Sequence, residues 1–434
     1  MKNQEVSNWK APFFTIWTGQ ALSLVGSSVA QFALIWWLTT LTGSATVLAT
    51  ASLAGLVPGI VLGPIAGAYV DRWNRRVVMI AADSLVALAS LVLVGLFWMG
   101  SMEIWHVYLA MTLRSIGSSF HWPAMQASTS LMVPKEQLGR VAGINQTMNG
   151  VLNIVGPPIG ALLMSLLPLE RIMMVDVGTA AFAIAPLFFV TVPQPRREAP
   201  GGQDLAKPSI WADMREGLLY IRSWPGMMVL IGSVLLVKFA LTPAFSLLPL
   251  LVSQHFGGGA AQLSLLEAVA GGGIVVGGLV LSIWGGFRRK IHTSTMGIIV
   301  LGLGMILLGL APSGLFWLGL VAILLVGLML PMVDGPFMAI LQGAVSPEKQ
   351  GRVFTLINSL LGLTSPLGLA VAGPVSDWLG LQVWYWVAGA LSSGVGVLFL
   401  FTPAILQLEE NGADHSPETV GSAPGALDVA VATD

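Results

Sequence analysis

The sequence predicts an all-α polytopic membrane protein with twelve transmembrane helices in two six-helix bundles. Three observations lead to this fold class: a low charge content, twelve long apolar segments, and basic residues gathered in alternate loops. Of the 434 residues, 55% are hydrophobic and only 9% are charged, and the mean hydropathy is +0.81. Soluble domains carry roughly 25% charged residues, so lipid must be the solvent for most of this chain.

Twelve segments reach the length of about 20 apolar residues that a spanning helix needs. The first six cover residues 13–38, 46–69, 77–99, 104–131, 143–167 and 172–192. The second six cover residues 227–252, 262–286, 293–311, 315–343, 353–376 and 382–405. No small-residue cleavage site ends the first apolar stretch, so we expect it to stay in the protein as a membrane anchor.

The distribution of Lys and Arg orients these segments, because cytoplasmic loops are enriched in basic residues. With a cytoplasmic N-terminus, 17 of the 20 Lys and Arg residues lie in cytoplasmic segments. The other three are Arg171 in an outside loop and Arg114 and Lys238 inside spans. The bias predicts a multi-pass protein of the cell (inner) membrane with both termini in the cytoplasm.

The chain divides into five parts. A cytoplasmic N-terminus (1–12) precedes an N-terminal bundle (13–192), a cytoplasmic linker (193–226), a C-terminal bundle (227–405) and an acidic, small-residue tail (406–434) that we expect to be disordered. In the linker, Trp211, Met214, Leu218 and Ile221 recur at helical spacing. This pattern indicates either an amphipathic helix on the inner membrane face or an ordinary linker helix.

The two halves contain related segments. Pro123 is followed by Pro134, and Pro336 by Pro347, each after 11 residues, and Gly-Arg-Val closes both loops. These segments belong to the fourth and tenth spans, which are six apart. A parallel repeat of this kind is one known arrangement of transporters, with substrate held between the halves near the bilayer midplane.

The first basic loop contains the strongest motif, GAYVDRWNRR, residues 67–76. It resembles the signature G-x-x-x-D-R-x-x-R-R of the major facilitator superfamily at every fixed position. We expect Gly67 to let two helices approach closely and Asp71 to accept from a facing helix N-terminus. Arg72, Arg75 and Arg76 would pair across the cytoplasmic loops, as a latch present only while the inner gate is shut. The alternative is that the arginines only reflect the enrichment of basic residues in cytoplasmic loops.

Several charged residues lie inside predicted spans, where they are costly unless they face water or a partner. Arg114, Lys238 and Asp334 fall in spans four, seven and ten, which line the central cavity in this superfamily. The resemblance implies proton coupling for Arg114, although bonding to backbone carbonyls alone is the alternative. We predict that Lys238 and Asp334 interact. The remaining candidates are Glu267 and Asp83 as cavity residues, Asp176 as a structural pairing partner, and His121 as a packed histidine or, less favoured, a proton relay.

Span five carries Asn145, Asn149 and Asn153 at intervals of four, on one helix face. The following GPPIGA, beginning at Gly156 and Pro157, resembles the export-associated motif G-P-x-x-G-G of drug antiporters. Generic Gly and Pro packing is the alternative interpretation.

The segments NWK-x3-FTIW-x-GQA, LTGSA, LRSIGSSFHWPA and VP-x-EQL-x-R together resemble the macrolide-efflux (Mef) branch of the drug:proton antiporters. The resemblance implies proton-driven export of macrolide-like compounds by alternating access, with antibiotic resistance as the result. The alternatives are an exporter of a siderophore, lipid or metabolite, and a non-transporting membrane sensor.

We expect a monomer that contacts a small-molecule substrate and the lipid bilayer, with no nucleic-acid partner. No enzymatic activity and no cofactor are expected, because the proton gradient would supply the energy. The chain has no Cys for a disulfide or a Cys-ligated metal, and no Walker A sequence for ATP.

Overall fold

The computed structural model describes residues 9–70, 72–194, 218–219, 221–222, 224–345 and 347–406. Six long helices form the first half: α1 (Lys10–Thr42), α2 (Ala45–Val70), α3 (Arg75–Trp98), α4 (Ile104–Met132), α5 (Leu138–Leu166) and α6 (Leu169–Phe189). Six more form the second half: α7 (Pro225–Ser246), α8 (Ala260–Trp284), α9 (Lys290–Leu310), α10 (Phe316–Ala344), α11 (Pro347–Leu379) and α12 (Gln382–Phe401). The described residues contain no strand, which confirms the predicted fold class.

Eleven of these helices are long and apolar enough to cross a membrane by length and composition. The twelfth, α4, is 29 residues long but contains Arg114, His106 and His121, which lower its hydropathy. Because α4 packs between α2 and α3 of the same bundle, its polar residues can be screened from lipid. The predicted spans agree with the twelve helices to within a few residues at most ends.

Local chemistry sets several helix ends. The Asn74 side chain accepts hydrogen bonds from the backbone of Arg76 and Val77 and so caps the start of α3. Gly43 ends α1 and Gly285 ends α8, both in the left-handed conformation that glycine adopts without a steric penalty. After α7 the chain continues through a short helix, Leu248–Leu250, and one π-helical turn, Leu251–His255.

The glycine-rich α8 packs closely against helices of both bundles. An added Cβ at Gly277 would meet the Leu328 carbonyl of α10, and one at Gly273 would lie 3.0 Å from the Leu324 carbonyl. On the other side, Gly271 approaches Ile154 of α5. Small residues of this kind allow helix backbones to pack closely in membranes.

The bundle has two ends that differ in charge and packing. The "basic end" carries the loops at 71–74, 133–137 and 285–289, and the "opposite end" carries those at 43–44, 99–103, 257–259 and 380–381. Near the opposite end, Phe32, Trp36 and Leu48 of the first bundle share one buried apolar cluster with α7 and other second-bundle helices. At the basic end, the first bundle's buried cluster, which includes Phe13 and Met79, contains described residues of that bundle alone. Among the described residues, buried apolar packing therefore joins the two halves at the opposite end, and the cluster at the basic end of the first bundle includes no residue of the second.

Three features predicted from the sequence lie wholly or mostly outside the described residues. These are Asp71 of the loop motif, the amphipathic helix of the 193–226 linker, and the tail from 407 onward. Of the linker apolar positions, Ile221 is buried in the cluster with α7, whereas Leu218 is exposed.

Candidate functional site

Arg114 of α4 forms a buried ion pair with Asp176 of α6. The guanidinium Nη1 lies 2.5 Å from Asp176 Oδ2, and the Asp176 side chain is 1% exposed. Ser90 of α3 donates to the same carboxylate oxygen at 2.6 Å, and Ser27 of α1 donates to the other at 2.9 Å. Arg114 Nη2 also donates to the Ser27 carbonyl at 3.2 Å. The cluster thus joins α1, α3, α4 and α6, and it satisfies a charge pair that would be costly to bury alone.

This geometry corrects one part of the sequence interpretation. Arg114 was expected to line the central cavity together with Lys238 and Asp334. The guanidinium instead bonds to three helices of its own bundle. Asp176 is the structural pairing partner that the sequence predicted it to be, but its partner was not predicted, because nothing local connects residues 62 positions apart.

Lys238 of α7 and Asp334 of α10 form the predicted pair. Lys238 Nζ lies 3.7 Å from Asp334 Oδ1, and the two side chains are 38% and 53% exposed. Around them lies a narrow apolar cleft formed by Val237, Ile298 and Leu330 among others. The pair is confirmed, and its exposure leaves both charges able to exchange partners; its role in proton coupling stays a prediction.

A second polar cluster in the first bundle centres on Asp83 of α3. Gln20 of α1 donates from Nε2 to Asp83 Oδ2 at 2.8 Å. The other carboxylate oxygen lies 3.5 Å from Nε2 of His121, on α4. The Asp83 and His121 side chains are 12% and 18% exposed, so this cluster is far less open than the Lys238–Asp334 pair. Asp83 therefore faces helices of its own bundle.

Glu267 of α8 is partly buried and makes no hydrogen bond or ion pair with any described residue. It lies one turn from Gly271, where α8 meets α5 of the other bundle. The structure places it near the contact between bundles without bringing it to the other charged groups.

Two arginines of the loop motif, Arg75 and Arg76, donate to carbonyls of their own bundle. Arg75 is 7% exposed and donates from Nη1 to the Ala127 carbonyl of α4 at 2.7 Å. Arg76 donates to the Phe188 carbonyl of α6 at 2.6 Å. An added Cβ at Gly67 would meet nothing within 4 Å, so the close helix contact expected there is wrong for this conformation.

The three asparagines on one face of α5 differ in their surroundings. Asn145 accepts from Trp17 Nε1 of α1 at 2.8 Å, whereas Asn149 and Asn153 are exposed. Below the asparagines, Gly156 and Gly160 lie against Ser28 and Phe32 of α1. Pro157 is buried within the continuous α5, so the Gly-Pro motif acts here as a close contact between α5 and α1.

Three polar bonds between described residues of the two bundles lie towards the opposite end. Thr46 of α2 donates to Asp377 of α11 at 2.6 Å, and Gln254 donates to the Gly43 carbonyl at 2.7 Å. Deeper in, the Ser52 and Ser246 hydroxyls are 2.6 Å apart. A cavity of about 380 Å³ lies beside these bonds. We name Thr46–Asp377, Gln254–Gly43 and Ser52–Ser246 the opposite-end latch. These contacts were not predicted from the sequence, in which the only indication is the presence of isolated polar residues in apolar helices.

Known proteins are similar to this chain in sequence and in fold. A family model for the Major Facilitator Superfamily matches residues 16–363 and 230–425. The chain is 36% identical to macrolide efflux protein A of Streptococcus pyogenes over 388 residues, covering 89% of this chain and 95% of the relative. It is 26% identical to the multidrug efflux pump Tap of Mycolicibacterium fortuitum over 412 residues, covering 92% and 98% of the two chains.

Among solved structures, a bacterial homologue of the iron transporter ferroportin in an inward-facing state superposes with a TM-score of 0.70 at 14% identity, over 90% of this chain and 98% of that one. The nucleoside transporter NupG superposes with a TM-score of 0.65 at 11% identity, over 88% and 99%. At these identities the superpositions establish the fold alone. Motif, fold and sequence agree, and the chain belongs to the major facilitator superfamily, in its macrolide-efflux branch.

Proposed function

We propose that this protein exports macrolide-like or other bulky amphipathic drugs by proton antiport with alternating access. The observation that carries the proposal is the asymmetry of the two bundles. They are joined by apolar packing and the latch at the opposite end, while Asn149 and Asn153 of α5 stay exposed. A substrate approaching from the basic end would meet a partly polar surface between the halves.

Proton coupling is supported by ionisable residues inside the spans. Lys238 and Asp334 are close enough for a contact that protonation of the carboxylate would weaken, and about half of the Asp334 side chain is exposed. Intramembrane carboxylates and lysines are expensive to insert and commonly mark ion pathways. In this proposal the protein works as a monomer in the cell (inner) membrane, with both termini cytoplasmic and with no ATP or cofactor.

Accumulation of a fluorescent macrolide tests the proposal. Cells that make the protein should accumulate less dye than cells carrying the empty vector. An ionophore that collapses the proton gradient, at preserved ATP levels, should raise accumulation to the empty-vector level. Export that survives the ionophore would contradict proton antiport. Equal accumulation in both strains would contradict a macrolide cargo and favour a siderophore, lipid or metabolite, or a sensor that transports nothing.

A further inference from the structure

We propose that Asp83 and His121 form the proton-binding site of the first bundle, with Gln20 orienting the carboxylate. This inference rests on the proposed proton antiport and names the group that binds the proton. It assigns the proton to a site separate from Lys238–Asp334.

The first argument is the geometry of two facing acceptors. His121 Nε2 is buried without a hydrogen-bond partner in good geometry, and Asp83 Oδ1 lies 3.5 Å from it. A carboxylate oxygen and an unprotonated imidazole nitrogen would repel each other, so one hydrogen must lie between them. Gln20 occupies the other carboxylate oxygen at 2.8 Å, which leaves Oδ1 for the histidine. The position between Nε2 and Oδ1 is therefore where we place the transported proton.

The second argument is the packing that holds the two groups together. One turn before His121, Gly117 allows α4 to approach α3 so closely that an added Cβ would lie 3.1 Å from the Ala82 carbonyl. Ala82 is the residue next to Asp83, so the backbone contact fixes the separation of carboxylate and imidazole. The remaining 18% exposure of the His121 side chain leaves the ring within reach of water.

The third argument is the internal repeat. His121 and Asp334 each lie two residues before the repeat prolines, Pro123 and Pro336. At this level each bundle has an acid–base pair that includes its fourth helix: Asp83–His121 in the first and Lys238–Asp334 in the second. The first pair is shielded and the second is open.

Other charged groups near the site are already engaged. On α4, Arg114 lies two turns away and bonds to Asp176 of α6. On α3, Arg75 lies two turns towards the basic end and bonds to the Ala127 carbonyl. Helix α2 contains no acidic or basic residue, and the α5 side chain that reaches α1 is Asn145, bonded to Trp17. These groups thus have partners of their own, and Asp83 and His121 face each other.

The chain has no Cys, so spin labels can be placed without other changes. Ser101 and Ser313 are exposed at the opposite end, one in each bundle. In lipid nanodiscs without substrate, distances between labels on Ser101→Cys and Ser313→Cys are measured from pH 5.5 to 8.5. They give the ratio of molecules open at the opposite end to molecules closed there. One linked proton changes this ratio by at most about tenfold per pH unit.

We expect the parent protein to respond to pH and both Asp83→Asn and His121→Gln to lose the response, with less than about a twofold change over the range. His292→Gln, a histidine on α9 with no side-chain bond to a described residue, is the matched control and should respond as the parent does. A parent protein without a pH response overturns the proposal. Retention of the response in Asp83→Asn and His121→Gln, or its loss in Lys238→Ala and Asp334→Ala instead, also overturns it.

Transport separates a proton-binding role from a purely structural one. In proteoliposomes loaded with erythromycin, Asp83→Asn should keep exchange of internal for external erythromycin and lose uptake driven by an imposed proton gradient. Loss of both would assign Asp83 to structure and overturn the proposal. If the parent responds to pH but moves no erythromycin in either assay, the macrolide cargo is wrong and the labels still decide the proton site.

Discussion

At the scale of single residues, the charged side chains inside the membrane divide into two kinds by their burial. Arg114 and Asp176 are enclosed and fully bonded, which is the condition under which a buried ion pair holds a structure together. Lys238 and Asp334 are loosely spaced at 3.7 Å and open, which suits a contact that forms and breaks. A pair of opposite charges thus suits a structural role in one place and an exchangeable contact in the other, because the surroundings differ.

We predict that Asp176→Asn and Arg114→Met each lower the stability of the purified protein sharply. Removing one partner of a buried pair leaves the other uncompensated, at a cost of about 3–5 kcal/mol. Thermal unfolding in detergent measures the effect. The double variant Arg114→Met with Asp176→Leu should recover a large part of the lost melting temperature. Single variants as stable as the parent would contradict a structural role for the cluster.

Lys238→Ala and Asp334→Ala should each abolish gradient-driven transport, because each leaves an unpaired charge in a span at a cost of roughly 2.5–3.5 kcal/mol. The double variant decides the purpose of the pair. If the two residues only neutralise each other, transport should recover in the double variant. If Asp334 itself carries a proton, the double variant should stay inactive. Normal transport by both single variants would exclude the pair from the mechanism.

At the scale of helices, glycine contacts determine how closely neighbours approach. Helix α8 meets α10 through Gly273 and Gly277, and α5 meets α1 through Gly156 and Gly160. The glycine that the loop motif marks, Gly67, has open space around it. The loop-motif glycine at the basic end thus has room for a side chain in this conformation, whereas these glycines deeper in the helices are tightly packed.

Gly277→Ala should destabilise the protein, and Gly278→Ala should not. The added methyl group at Gly277 would meet the Leu328 carbonyl, a backbone atom that cannot move alone, and overpacking costs about 1–3 kcal/mol. At the neighbouring Gly278 nothing lies within 4 Å, so alanine there gains about 0.5–1 kcal/mol of helix stability. Melting temperatures of the two variants give the comparison, and equal values would refute the close α8–α10 contact.

At the scale of the whole molecule, the two ends of the bundle should act against each other. The opposite-end latch and the shared apolar cluster hold that end closed. The loop motif would hold the basic end when it closes, and its Arg75 and Arg76 now bond to carbonyls of α4 and α6. When the opposite end opens and the basic end closes, the opposite-end latch would break and the predicted contacts of the loop motif would form.

Substitutions at the two ends should therefore shift the conformational equilibrium in opposite directions. Thr46→Val removes the donor to Asp377 and should increase the population that is open at the opposite end. Asp71→Asn weakens the predicted basic-end latch and should reduce that population and cut transport, while expression persists. Distances between labels on Ser101→Cys and Ser313→Cys measure both effects. Shifts in the same direction, or an unchanged population in Asp71→Asn, would contradict the opposed latches.

The sequence by itself determined the features that are written locally along the chain. Twelve apolar segments, their ends and the repeat of six helices followed from hydropathy and spacing, because a spanning helix satisfies its backbone hydrogen bonds within one continuous segment. The Lys238–Asp334 pair also followed, since two opposite charges on cavity helices have few other partners.

Only the tertiary structure decided which side chains meet across helices. It paired Arg114 with Asp176, brought Asp83 between Gln20 and His121, and connected Thr46 with Asp377 over 331 positions of sequence. Such contacts depend on the rotation and spacing of helices packed by glycine and apolar side chains. Hydropathy does not encode rotation in a helix that is apolar on every side, which is why the partners of these polar residues became known only from the assembled bundles.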